Sequence, residues 1–378
     1  FRIYLPPGSS LGGILMTQSI LPELKIVAES ESVWAQGLKT AGCPSCRQAF
    51  LIPDGGAGRL CPNCAQDHLA PQPARLRMEP PELVIPSQLQ SAHLQSILSE
   101  FIRPVWLKPD DFTAANLYAR LVKVYWPMWL VDSDITGAWQ AEVGYDYQVK
   151  SSQEHYNNGE WRSREVNETR IRWEPRIGSL VRRYNNISAP AISYHERRLK
   201  EVGSYSHEAA VSFELPHVGD SVIQLPDHPP ESAWPMARSG LDQAAGIECQ
   251  QAAGGQHIRN FQIEAQYDQV NWSQMLLPLY ATYYSDDEGR RHPILINAQT
   301  GKTNGMRIAS RKKGWLYGGI LAGASLILLL LALLLFLLLA VFPPGGAIAA
   351  VLAFLAIALG AAAVAVILWP WQWNQRQA

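Results

Sequence analysis

The chain has 378 residues, and 32 Lys+Arg against 33 Asp+Glu leave a formal net charge of -1. That balance argues against a strongly basic nucleic-acid binder and against an acidic tail. Charged residues are only 17%, and Gly314 to Gln375 contains none, which excludes a wholly soluble chain and, because the remainder is polar, a many-span transporter.

Residues 1–41 form an N-terminal segment without a clear pattern. The first residue is Phe1, and Met16 reads as the start, with Phe1 to Leu15 upstream of it. That stretch holds Pro6-Pro7-Gly8 and no continuous apolar run, so it does not read as a signal peptide. An uncleaved protein inserted by its C-terminal end is expected.

Residues 42–69 read as a zinc ribbon. Cys43-Pro44-Ser45-Cys46 and Cys61-Pro62-Asn63-Cys64 are separated by fourteen residues. Each Cys-x2-Cys supplies two thiolates from one tight knuckle, and two knuckles complete a tetrahedral sulfur site suited to Zn²⁺. With Cys43, Cys46, Cys61 and Cys64 filling all positions, the zinc is expected to be structural, and metal binding is expected to supply folding energy to a unit with little core. Pro53-Asp54-Gly55-Gly56 places a turn between short strands. Two disulfides, rubredoxin-like iron and a redox Cys-x2-Cys are the alternatives; disulfides require an oxidising compartment. Arg47 and Ala65 stand where glycine often follows such pairs. Cys249, alone in a helical stretch, reads as a buried thiol.

Residues 70–86 carry Pro71, Pro73, Pro80, Pro81 and Pro86 and read as a linker. The fold class expected overall is α+β, with one antiparallel-strand-rich domain over residues 87–310. Helices are predicted at Ser87 to Phe101, Thr113 to Val124, Ser193 to Val202 and Glu231 to Gln251. Strands are predicted at Trp126 to Val131, Ile135 to Val149, Val166 to Trp173, Leu180 to Ile187, His257 to Tyr267 and Met275 to Tyr284. Asp286-Asp287-Glu288-Gly289 turns the chain into Pro293 to Asn297, and Thr300-Gly301 turns it into Met306 to Ala309.

Residues 315–342 and 347–368 are uncharged and long enough to cross a bilayer core of about 30 Å. Pro343-Pro344-Gly345-Gly346 separates them, so a transmembrane helical hairpin is predicted. Lys302, Arg307, Arg311, Lys312 and Lys313 precede the first span and Arg376 follows the second. The positive-inside rule then places the N-terminal part and the tail in the cytoplasm. Trp315, Tyr317, Trp369, Trp371 and Trp373 are expected to form an aromatic belt at that interface. Gly319-x3-Gly323 and Ala356-x3-Gly360 are expected to pack the two helices together. Without an ionisable residue in either span, the hairpin reads as an anchor.

Val124-Tyr125-Trp126-Pro127-Met128-Trp129, Trp173-Glu174-Pro175-Arg176-Ile177-Gly178, Ser188-Ala189-Pro190-Ala191, Leu277-Pro278-Leu279-Tyr280 and Asn297-Ala298-Gln299-Thr300-Gly301-Lys302 carry a resemblance. With the ribbon and the spans, they resemble a family of bacterial zinc-ribbon membrane proteins, members of which are described as primosomal-protein-N′-like or as TFIIB-type zinc ribbon proteins. The resemblance covers Cys43 to Trp373, and Ala298 departs from the N-G-Q-T-G turn of that family. It implies no enzymatic activity. It implies a membrane-stress or membrane-organising role, because some relatives lie beside phage-shock-type coat proteins and flotillin-like scaffolds.

Other patterns fail on their own terms. Thr300-Gly301-Lys302-Thr303 lacks the glycine of a phosphate loop, since Ile296 occupies that position. His195-Glu196 and His207-Glu208 begin a zincin motif, but Leu199 and Val211 replace the second histidine. Asp132 with Asp134, and Asp286 with Asp287, read as surface pairs. Arg162, Arg164, Arg170, Arg172, Arg176, Arg182 and Arg183, with Trp161 and Trp173, are interleaved with Glu160, Glu165, Glu168 and Glu174, which favours a charge-paired strand face over a headgroup or nucleic-acid patch. The function expected is a non-enzymatic adaptor of the bacterial inner membrane, multi-pass, with protein partners such as scaffold or coat proteins and with nucleic acid disfavoured. The alternative is a membrane-tethered nucleic-acid binder acting through the ribbon.

Overall fold

The computed structural model describes residues 26–28, 34–53, 58–73, 75–157, 160–338 and 345–377. The readings of residues 1–15 and of the turn at Pro343-Pro344 lie outside them.

In chain order the elements are β1 (Ile26–Ala28), β2 (Leu38–Gly42), β3 (Ala49–Pro53), β4 (Ala70–Pro71), β5 (Arg75–Arg77), β6 (Leu83–Val84), α1 (Ser91–Ile102), α2 (Ala114–Ala119), β7 (Val122–Asn157) and β8 (Glu160–Pro190). Then follow α3 (His195–Val202), β9 (Val211–Ser212), α4 (Leu215–Val218), β10 (Val222–Gln224), α5 (Pro230–Ala253), β11 (His257–Ser285), β12 (Arg291–Asn297), β13 (Thr303–Gly305), α6 (Arg311–Leu337) and α7 (Gly345–Gln375). The fold is mixed α/β with a large, mostly antiparallel sheet and two apolar C-terminal helices. Among the described residues it divides into two compact units.

One unit comprises Trp129–Ala189 and Pro229–Ser273. Between Val131 and Val143 β7 alternates: Val131, Ser133, Ile135, Trp139, Ala141 and Val143 are buried while Asp132, Asp134 and Gln140 are not. A two-residue period gives one strand a dry and a wet face. The helix α5 buries Ala233, Ala237, Leu241, Ala245, Cys249 and Ala253, every fourth residue, so its apolar stripe is narrow and mostly small. Gaps between predicted strands close up: β7 runs through Asp132-Ser133-Asp134, and β8 and β11 are each continuous. Asn186 (φ 58°) and Gln269 (φ 50°) take the left-handed conformation inside β8 and β11, absorbing local irregularity as bulges do.

The other unit comprises Lys25–Met128, Pro190–His228 and Gln274–Ala378. Its sheet runs β13-β12-β11-β7-β10-β3-β2-β4. The parallel pairing of Val124 with Val222 and of Tyr125 with Ile223 explains why the predicted second helix stops early. Thr113 caps α2 by accepting the Asn116 amide, but from Val122 the β-branched residues join the sheet. Likewise α1 starts at Ser91, since the Gln88 amide bonds to the Ala298 carbonyl at 3.1 Å and holds the preceding residues extended. The stretch read as a linker supplies β4, β5 and β6, with Leu76, Val84 and Ile85 buried. Among the described residues two core clusters stand out. Leu98, Leu117, Ile294 and Ile296 surround Phe112, which stacks on Tyr284 at 3.9 Å. Leu51, Leu76, Val84, Tyr125, Ile223 and Leu276 form the second.

His195 lies buried against Trp126, ring centroids 5.3 Å apart, and among the described residues its Nδ1 has no hydrogen-bond partner. Burial, with the nearby charge of His228, pushes its pKa down to about 4. The unfolded chain binds this proton near pH 6.5 and the folded chain does not. Stability therefore falls as pH drops from about 6.5 to 4, by up to about 3 kcal/mol. His195→Phe is expected to flatten that slope, as read from denaturant midpoints across this range.

The helices α6 and α7 are long and apolar enough to cross a membrane: mean hydropathies reach 3.0 and 2.9, and only 6% and 17% of their most apolar stretches are buried. The small residues at their contact differ from those expected. A Cβ at Gly314 would come within 2.9 Å of Pro370, and one at Gly318 would run into Ile367, whereas Gly319 and Gly323 face open space. The GxxxG pair thus lies off the hairpin contact; Ala356 and Gly360 lie on it, with Ser325 Oγ donating to the Ala356 carbonyl at 2.7 Å.

Both helix feet are clamped to the folded unit. Asp287 accepts from Ser310 Oγ (2.9 Å) and from the Lys312 amide (3.0 Å), capping α6. Asn374 accepts the Ala309 amide (2.7 Å) and donates to the Ala309 carbonyl (3.1 Å), while Trp373 Nε1 donates to the Arg307 carbonyl at 2.6 Å. The expected aromatic belt is accordingly split. Trp315, Tyr317 and Trp371 are exposed, but Trp369 and Trp373 pack on the Phe112 cluster.

Candidate metal centre

The chain leaves β2 at Gly42, makes the first Cys-x2-Cys knuckle and returns in β3, so the ladder from Leu38↔Pro53 to Gly42↔Ala49 fixes where Cys43 and Cys46 point. The second knuckle is held by the Leu60↔His68 bridge, and β4 then pairs with β2. The knuckles repeat one hydrogen-bond pattern. The Arg47 amide bonds to the Cys43 carbonyl and the Ala65 amide to the Cys61 carbonyl, both at 2.9 Å. Arg47 (φ 57°) and Ala65 (φ 55°) are both left-handed. Each pays the steric cost that glycine would avoid, about 1 kcal/mol. Ser45 Oγ donates to Asp67 and ties one knuckle to the other.

The four sulfurs lie within 4.8 Å of one another, with Cys43–Cys64 at 3.6 Å and Cys46–Cys61 at 3.7 Å. A disulfide needs about 2.05 Å, and all four cysteines are free. A tetrahedron with metal–sulfur bonds of about 2.3 Å has edges of about 3.8 Å, so the quartet fits a metal ion of that size. The thiols cannot all ionise alone. Cys61 and Cys64 donate to Cys46 and hold its pKa far down; Cys46 in turn pushes Cys61 far up and Cys64 to about 11. A divalent cation removes that conflict by stabilising every thiolate.

A third partner comes from far along the chain. Asn63, inside the second knuckle, donates to Cys46 and accepts from the guanidinium of Arg198 on α3. Arg198 is almost wholly buried; among the described residues its Nε makes no hydrogen bond, and Glu201 lies 4.0 Å away. A divalent ion with four thiolates carries two negative charges, and this buried cation offsets part of them. Outer partners of this kind are worth about 10- to 100-fold in metal affinity. Arg198→Met is expected to speed zinc release to a chelator by a similar factor while leaving all four ligands in place, as followed by a colorimetric zinc dye.

The ribbon is not the free-standing module that its length suggests. The strand β3 pairs with β10 (Ile223↔Leu51), and Phe50 and Leu51 are fully buried, Leu51 within the second core cluster. The Gln48 and Asp227 side chains join it further, at 2.9 Å.

The remaining candidate residues have structural partners. Thr300-Gly301 is the β12–β13 hairpin turn, in which Asn297 Oδ1 accepts the Gln299 and Thr300 amides and Gly301 takes φ 79°. Ala298 is fully buried there. Asp134 pairs with Arg183 at 3.1 Å, and Asp132 accepts the Asn186 amide. Asp286 binds Arg290 and His292, each at 2.9 Å. Arg170, Arg172, Arg176 and Arg182 each have a glutamate within 3.6 Å. His195 and His207 lie on separate elements, and Cys249 is a buried thiol whose pKa burial raises. No known protein family, curated protein or solved structure matches the chain.

Proposed function

We propose that the protein is a non-enzymatic adaptor anchored in a bacterial inner membrane, in which Cys43, Cys46, Cys61 and Cys64 hold a structural zinc ion. Bound zinc supplies no chemistry to a substrate here; it locks two knuckles whose sulfurs are already grouped. The single observation that carries this reading is that one compact unit contains both the cysteine quartet and the hydrogen-bonded feet of two membrane-length helices. Such a unit holds the ribbon at a fixed place beside the bilayer, where it presents a docking surface for a protein partner. Lys302, Arg307, Arg311, Lys312, Lys313 and Arg376 favour a cytoplasmic position for that surface.

The test is in-cell crosslinking, extraction of the full-length protein in mild detergent and mass spectrometry of what co-purifies. Membrane scaffold or coat proteins that disappear with Cys61→Ser support the adaptor. Recovery of nucleic acid, or of replication and transcription proteins, overturns it in favour of a tethered nucleic-acid binder.

A further inference from the structure

We propose that the cavity at the foot of α6, about 670 Å³ in volume, binds the phosphate of an anionic phospholipid in the leaflet that surrounds the two apolar helices. The inference rests on the membrane reading above and adds a lipid site to it.

The walls include Trp106, Lys108, Asp110, Phe112, Lys313 and Tyr317. Lys313 and Tyr317 belong to the first turns of α6, so the cavity opens where polar chain gives way to the apolar span. Trp106 is 62% exposed and meets Trp369 of α7 edge-on at 5.7 Å. An exposed indole touching one span, opposite an exposed Tyr317 on the other, has the placement of headgroup-level aromatics. The size suits a headgroup with its glycerol.

Charge selects the class. Lys108 is half-buried and, among the described residues, has no carboxylate within ion-pair distance. A lysine in a cavity wall with no counter-ion beside it calls for an anion. Lys313 pairs with Asp110 at 2.7 Å, but Asp110 is 90% exposed. An ion pair so open to water is weak and can yield to a phosphate. The exposed Arg311 and Lys312 add positive charge beside the opening. A choline headgroup would bring its own cation toward Lys108, so the site favours phosphatidylglycerol over phosphatidylcholine.

The experiment is native mass spectrometry of the full-length protein in mild detergent, titrated separately with dioleoyl phosphatidylglycerol and dioleoyl phosphatidylcholine. One phosphatidylglycerol adduct is expected to survive preferentially. Lys108→Gln is expected to weaken that preference about fivefold, the usual effect of one basic residue near a lipid surface. Lys108→Arg should restore it, and Arg197→Gln, away from the cavity, should leave it unchanged. Equal retention of both lipids, or an undiminished preference in Lys108→Gln, overturns the site. Flotation of the full-length protein with phosphatidylcholine vesicles separates the two claims. A protein that floats but shows no preference keeps its anchor and loses this site; one that never floats loses both.

Discussion

Cys61→Ser is expected to abolish stoichiometric zinc binding and to unfold the β2–β3–β4 end of the sheet before the rest of its unit. Cys61 is the most buried of the four ligands, 1% exposed, and its loss leaves three thiolates around an open position. Structural zinc supplies about 10–16 kcal/mol of apparent binding energy in isolated fingers. Here the effect is smaller than that limit, because Phe50 and Leu51 remain anchored in the shared core. A loss of several kcal/mol still ranks among the largest that a single substitution produces. Hydrogen exchange should show amides of residues 38–53 and 60–71 losing protection while α1 and β12 keep theirs. Uniform loss of protection throughout the unit would mean that the ribbon and the sheet are one cooperative element.

Phe112→Ala is expected to cost about 3–5 kcal/mol, the range for emptying a large aromatic site. Phe112 is fully buried, stacked on Tyr284 and edge-on to Phe101. The damage should extend to the hairpin feet. Tyr284 Oη donates to the Met306 carbonyl and accepts the Ile308 amide, so it positions the segment that leads into α6. Trp369 and Trp373 pack on the same cluster. A lower unfolding temperature should therefore come with a red shift of tryptophan fluorescence. A lowered temperature without that shift would show that the feet are held by their hydrogen bonds alone.

The cysteine quartet is legible because each ligand pair is local: four residues of chain hold both sulfurs of a knuckle. The apolar helices were legible for the same reason, their signal being uncharged length. Asn63 was in view inside Cys-Pro-Asn-Cys, but its partner Arg198 lies 135 residues away and carries no pattern of its own. The hairpin feet carry no such local signal: Asp287 reads as half of a surface pair and Asn374 belongs to no motif, and only the fold brings Ser310 and Ala309 to them. Strands run longer than their apolar runs suggest where polar pairs such as Asp132 and Asp134 interrupt the pattern, because the sheet continues on its wet face. The Gly319-x3-Gly323 pair lies on the helix face away from α7. Spacing alone does not say which of Gly314, Gly318, Gly319 and Gly323 meets α7; side-chain bulk at Ile367 and Pro370 decides it.

The most direct measurement on the central claim is zinc-edge X-ray absorption, with metal quantification, on the full-length protein extracted from membranes without added metal. The account predicts one zinc per chain bound by four sulfurs at about 2.3 Å. Iron in its place, a shell containing oxygen or nitrogen, or cysteines recovered as disulfides would contradict it.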